Sequence, residues 1–122
     1  MRTEIITIEG KDYMLRFDIN TLCLMESKGI DPMELMGNIE QNSLTKMRQL
    51  FYFGLLKFHK KGMTEEKAGD LIAAFVEDEN EDNTYELLFK KILKALFYGM
   101  GVKEKQIDEM FNQTHVDAEE GK

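Results

Sequence analysis

A single cysteine, Cys23, leaves this chain without an internal disulfide, which is ordinary usage in a reducing compartment. Its apolar neighbours assign it to the core as a small hydrophobe. The two histidines, His59 and His115, lie far apart, with no cysteine cluster and no His-x-x-x-His spacing, so a zinc site has no ligand set. A Cys–His nucleophile would need Cys23 beside one of them together with an orienting partner. Cys23 reads as core and His115 falls in a polar end segment, so no catalytic set is expected and the chain reads as a non-enzyme. No apolar run is long enough to span a bilayer, and Met-Arg-Thr-Glu-Ile-Ile lacks the apolar stretch of a signal peptide. The expectation is a protein that stays in the compartment where it is made. Positive charge is also scarce: 16 Lys and Arg stand against 23 Asp and Glu, a net charge of −7. Nucleic-acid binders need clustered cations over phosphate, and the only basic knot, Lys57, His59, Lys60 and Lys61, sits where it complements a helix C-terminus.

Other binding signatures fail on inspection. Asp78, Asn80 and Asp82 have the alternate spacing that opens an EF-hand loop, but Asn83 stands where glycine is wanted and Phe89 where a bidentate glutamate is required. An acidic solvated linker is the better reading. Gly10, Gly29, Gly37, Gly54, Gly62 and Gly69 do not assemble into a phosphate-cradling loop. No metal and no cofactor is expected.

What the chain does have is apolar surface on helices. At 122 residues, with 43% hydrophobic and 32% charged residues, it forms one domain with a modest core. The stretch Ser43 to Gly62 is central. Leu44, Met47, Phe51, Leu55 and Phe58 recur at steps of three and four and share one helical face. Leu50, Tyr52, Phe53 and Leu56 lie off that stripe, at roughly 100–160° from its centre. A helix apolar nearly all round is covered on more than one side, either by its own domain or by a partner. The sequence alone leaves both readings open. Nine methionines and eight phenylalanines suit surfaces that repack against partners, and suit cores equally.

In chain order, Thr3–Ile8 and Tyr13–Phe17 read as a β-hairpin turning at Gly10-Lys11, with Ile8 opposite Tyr13 and Ile6 opposite Leu15. Asp18 caps a helix from Ile19 to Lys28 that buries Ile19, Leu22, Cys23 and Met25 and stops at Gly29. Asp31-Pro32-Met33-Glu34 starts a short helix running to about Glu40. The central helix follows over 44–61, capped by Ser43. Thr64-Glu65-Glu66-Lys67 opens a fourth helix, with Ala68, Leu71, Ile72 and Phe75 on one face. After the acidic break Glu77–Asn83, a fifth helix from Thr84 to Met100 carries Tyr85, Leu88, Phe89, Ile92 and Leu96 as its main stripe. Leu87, Leu93, Phe97 and Tyr98 spread beyond that stripe. Gly54 and Gly69, inside helices, are expected where other elements approach closely, and a Gly54–Gly69 contact is one such arrangement. The fold is therefore mainly α with a small N-terminal β-hairpin (α+β), about five helices packed around the central helix 44–61. Residues 1–101 form the globular domain and 102–122 a polar, partly disordered tail. Within it Ile107, Met110 and Phe111 provide one or two amphipathic turns.

Two stretches carry a family resemblance: GKDYMLRFDINTLCLMESKGID (10–31) and LTKMRQLFYFGLLKFHKKGMTEEKAGDLIAAF (44–75), with Lys67-Ala68-Gly69-Asp70-Leu71-Ile72 as the sharpest part. In this order they resemble the tail assembly chaperones of long-tailed bacteriophages and of phage-like gene transfer agents, over residues 4 to 76. The resemblance implies a non-enzymatic assembly factor. Such a factor coats the tape-measure protein, keeps it soluble and helps recruit tail-tube subunits, in some phages through a longer frameshifted form. It implies action in the bacterial host cytoplasm, absence from the finished virion, and self-association. No motif-defined functional residues come with it, so the candidate protein-binding residues are the off-stripe Leu50, Phe53, Leu56, Leu93, Phe97 and Tyr98. The alternative reading is a small helical adaptor or regulatory domain that binds an amphipathic peptide helix.

Overall fold

The computed structural model describes residues 3–37 and 43–111. Strands β1 (Glu4–Ile8) and β2 (Lys11–Leu15) form an antiparallel hairpin. It is followed by α1 (Ile19–Ser27), α2 (Pro32–Gly37), α3 (Leu44–His59), α4 (Glu65–Val76), α5 (Tyr85–Gly99) and a further helix, α6, over 104–111. The architecture is mainly helical with one two-stranded sheet, the α+β class read from the sequence, and six helices stand among the described residues. The expected run of the second helix to Glu40 and the disorder expected beyond Asn112 fall outside the described residues.

The hairpin turns one residue earlier than its sequence implied. Ile8 pairs with Lys11, Ile6 with Tyr13 and Glu4 with Leu15. Glu9 and Gly10 form the turn, with φ of 51° and 80°, the two positive values of a type I′ turn. This register places Thr7 opposite Asp12, where its hydroxyl donates to Asp12 Oδ1 at 2.6 Å. It also parts Glu9 from Asp12, which the Gly10-Lys11 turn would have set face to face. Each pair is displaced by two positions, an even slip, so every side chain keeps its face. Ile6, Ile8, Tyr13 and Leu15 are all buried, as the alternation requires.

The two edges of the hairpin differ. On the outer edge of β2, the Met14 N–H donates to His59 Nε2 at 3.0 Å and the Arg16 N–H to the Gly54 carbonyl at 2.9 Å. Both acceptors belong to α3, which therefore closes that edge. α3 also packs against α1, α4 and α5. Met47, Phe51 and Leu55 of its stripe are buried, whereas Leu44 and Phe58, at the two ends of the helix, stay exposed.

Local sequence sets the helix ends. Asp18, Ser43, Thr64 and Thr84 each accept, through a side-chain oxygen, the N–H three residues on, satisfying one of the free donors of a first turn. Gly29 and Gly101 adopt positive φ at the ends of α1 and α5. In both, the following residue donates back across the helix end, Ile30 to the Met25 carbonyl and Val102 to the Phe97 carbonyl. This closing pattern is the Schellman motif, and it folds the next apolar side chain against the helix just ended.

Three expectations are corrected. On α1 the buried set is Thr21, Leu22 and Met25; Ile19 and Cys23 are exposed. Thr21 takes an inward position because Asp18 Oδ1 accepts its hydroxyl at 3.0 Å, which removes the cost of burying it. Gly54 and Gly69 do not face each other: Gly54 lies under Phe17 and Leu15, and Gly69 beside Arg48. Finally, the packed unit runs past residue 101. Ile107 on α6 is fully buried in the core, and Phe111 stacks on Phe97 at 6.2 Å between ring centroids.

Candidate functional site

α3 supplies the floor of a groove. Leu50, Phe53 and Leu56, at successive steps of three, form a slanting row on the side of α3 that faces α1 and the start of α4. The wider part encloses about 610 Å³ between Leu24 and Ile30 from the α1 end, Tyr52, Phe53 and Leu56 from α3, and Met63 from the α3–α4 turn. A narrower continuation of about 300 Å³ runs past Ile30 and Gln49 to Leu35 and Leu50. The rim is polar, with Lys28, Gln49, Lys60, Thr64 and Glu65.

The walls follow from neighbouring sequence features. The Schellman turn at Gly29 brings Ile30 back toward α1 and into the groove. Tyr52 meets Phe53 edge to face, with centroids 5.2 Å apart, so its ring stands as a fixed wall. Lys57 pairs with Asp18 at 3.3 Å and so ties the start of α1 to the last turn of α3. Asp18 is held below the usual aspartate range, first by the Thr21 backbone N–H, then by the Thr21 hydroxyl and Lys57, with partial burial opposing them. His59, one turn beyond Leu56, is held below the usual histidine range by burial and by the nearby Lys11 charge. The neutral ring is the form whose Nε2 accepts the Met14 N–H.

The six expected residues divide. Leu50, Phe53, Leu93 and Phe97 are sealed in the core of the single subunit, at 1%, 4%, 2% and 0% exposure. For these four the subunit itself supplies the cover, so they are corrected as candidate protein-binding residues, and Leu50 and Phe53 reach the groove only as its nearly closed floor. α3 is wrapped on several sides by β2, α1, α4 and α5, and α6 covers α5 at Phe97. Leu56 and Tyr98 remain half-buried. Leu56 lies in the groove with Phe53 behind it, whereas Tyr98 is on α5, outside the groove lining.

No protein-family model, curated protein or solved structure matches this chain.

Sequence reasoning missed Leu24, Ile30, Tyr52 and Met63 as groove walls. Leu24 is 40% exposed, and its signal was its place off the α1 stripe. Ile30 carried a signal in the Gly29-Ile30 pair, which is the sequence form of a Schellman turn. The polar residues weighed above for metal chemistry serve local structure. Asp78 and Asn80 accept the main-chain N–H groups of Asn80 and Asp82 and so hold the acidic linker in shape. Among the described residues no three His, Cys, Asp or Glu side chains are grouped to hold a metal ion. His115 lies outside the described residues. What the groove offers is an apolar floor and a polar rim, which suits one face of an amphipathic helix.

Proposed function

We propose that this protein is a non-enzymatic tail assembly chaperone that seats an amphipathic helix of a tape-measure protein in the groove along α3. The observation that carries the reading is the half-exposed apolar set of Leu24, Tyr52, Leu56 and Met63 around a groove of about 610 Å³. An extended, heptad-rich client exposes apolar stripes that aggregate when left uncovered. Covering one stripe segment per subunit keeps such a client soluble, and the net charge of −7 adds to the repulsion between coated complexes. The resemblance of residues 10–31 and 44–75 to tail assembly chaperones supports the same role. On this reading the protein works in the bacterial host cytoplasm, helps recruit tail-tube subunits, directly or through a longer frameshifted form, and is absent from the finished virion. Several copies line up on one client, so self-association accompanies client binding.

The test is co-expression with a long, heptad-rich tape-measure protein sought among the neighbouring genes, read by soluble yield and by pull-down, together with light scattering of the chaperone with and without a client fragment. A rise in soluble client and a client-dependent increase in mass are expected. A strict monomer that neither retains the client nor raises its soluble yield overturns the proposal. Binding of an unrelated short amphipathic helix, with the tape-measure protein left insoluble, would favour the adaptor reading in its place.

A further inference from the structure

The hairpin has one closed edge and one open edge. Because Ile8 and Lys11 close a two-residue turn, Glu4, Ile6 and Ile8 turn their main-chain groups toward β2, while Ile5 and Thr7 turn theirs away from it. The same alternation directs Met14 and Arg16 outward on β2, where α3 satisfies both. Nothing equivalent meets β1: among the described residues, no acceptor faces the main-chain N–H of Ile5 or Thr7. Ile5 is also 50% exposed. Alongside this edge runs a channel of about 330 Å³, whose far wall is the α4–α5 linker and the start of α5, including Asp78, Leu87 and Lys91. From the linker Asp78, Asn80 and Asn83 line it, and from the hairpin turn Glu9 and Gly10.

We propose that the β1 edge is a second protein-binding surface, which takes an extended segment of another protein carrying Lys or Arg at alternate positions. The main-chain groups of Ile5 and Thr7 provide the ladder bonds of strand addition. Charge selects the occupant. Glu4 opens the strand and Glu9 follows it; Asp78 lines the channel and Glu77, Glu79, Glu81 and Asp82 adjoin it in the linker sequence, while Lys91 is the one basic residue among the described residues that line it. A second copy of this chain is the wrong partner. Its own β1 would bring Glu4, Glu9 and another acidic linker against the same acids, at a net charge of −7 per chain. The alternate residues of a basic strand would direct small apolar side chains over Leu87 and their cations toward the linker. This surface is separate from the α3 groove and stands whether or not the groove takes a tape-measure helix.

The experiment follows amide exchange and chemical shift of Ile5 and Thr7 in the full chain on titration with two synthetic octapeptides, one alternating Lys and Val, the other alternating Glu and Val. The basic peptide should slow exchange at Ile5 and Thr7 and bind at least about tenfold more tightly than the acidic one, with an affinity that falls as salt rises. Thr7→Pro removes the outward N–H while leaving the β1–β2 ladder donors in place, and should abolish binding. Thr7→Ala retains that N–H and should bind as the unaltered protein does. If the proline variant does not fold, the triple change Asp78→Asn, Glu79→Gln, Glu81→Gln should instead erase the preference for the basic peptide. Equal binding of both peptides, no protection at Ile5 and Thr7, or protection that appears in the free protein with rising concentration would each overturn the proposal. The last result would assign the edge to a second copy.

Discussion

A Cβ placed on Gly99 would lie 1.8 Å from the carbonyl oxygen of Phe17. The chain leaving the hairpin therefore runs directly against the last turn of α5, and the Phe17 ring on its other side lies 3.0 Å from where a Cβ on Gly54 would be. These two glycines set how closely the strand exit approaches both long helices. The obstacle at Gly99 is main chain, which cannot swing aside, so Gly99→Ala is expected to cost at least about 3 kcal/mol. At Gly54 the obstacle is a buried ring; the helix-propensity gain of roughly 1 kcal/mol offsets part of the crowding, and a net loss of about 1 kcal/mol is expected. At Gly69 the neighbour is the flexible Arg48 side chain, so Gly69→Ala should stabilise by up to about 1 kcal/mol. Urea unfolding of the three variants checks the ranking. Similar losses at all three would mean that the approach of Phe17 is not what demands glycine.

Glu9 holds a φ of 51°, in the left-handed region where a side chain other than Asn, Asp or Gly is costly. Asn at the first central position of a type I′ turn ahead of Gly10 removes most of that cost. Glu9→Asn should raise stability by about 0.5–1 kcal/mol with an unchanged strand register. Thermal melting gives the sign, and cross-strand proton contacts between Ile6 and Tyr13 report the register.

The Met14–His59 bond makes stability depend on pH. Folding lowers the His59 pKa below its ordinary 6.5, through burial and the Lys11 charge. The unfolded chain therefore takes up the proton first as pH falls. This contribution is complete above 6.5 and is lost as pH drops from there toward the folded-state value, below which the loss levels off. His59→Gln retains an acceptor for Met14 without a titrating group. Subtracting its unfolding free energy from that of the unaltered protein across this window should show a decline toward acid. A flat difference would mean that His59 is not held neutral by the fold. Asp18 has the opposite origin: its folded-state pKa is lowered by hydrogen bonds to the charged form. Its contribution is present above the unfolded value of 3.8 and fades at lower pH, clear of the histidine window.

Much of this fold is legible in the sequence because the signals are local. Ser43, Thr64, Thr84 and Asp18 cap the helices whose starts they mark. The alternation of Ile6, Ile8, Tyr13 and Leu15 identifies the buried face of the hairpin even though the turn lies one residue earlier than Gly10-Lys11 suggests. The turn escapes a sequence reading because glutamate is a poor left-handed residue, and what favours the register is tertiary: it alone directs the Met14 and Arg16 N–H groups to their acceptors on α3. Burial of the off-stripe residues is not legible. Phe97 is covered by Phe111 from a segment that reads as polar, and Phe53 lies beside Leu24 and Ile30 in the groove lining, so each depends on an approach between distant parts of the chain. The groove is half legible: Leu56 stands out on α3, while Leu24, Ile30 and Met63 come from three other segments that only tertiary packing brings together.

Phe53 and Leu56 are three residues apart on α3, yet they should respond in opposite ways to substitution. Phe53 is 4% exposed and Leu56 is half-buried in the groove wall. Phe53→Ala opens a cavity and should destabilise by about 3–5 kcal/mol. Any loss of client binding would then follow from unfolding. Leu56→Asp and Leu24→Asp place a carboxylate on the open side of the groove, where water still reaches it, so the fold should hold with a loss of about 1 kcal/mol. An amphipathic helix seated there would have to bury that charge, and its affinity should drop by about tenfold or more. Fluorescence anisotropy of a labelled tape-measure peptide, run beside urea unfolding of each variant, separates the two effects. Retained affinity in both folded aspartate variants would remove the α3 groove as the client site. Loss of binding confined to those two variants would locate it there.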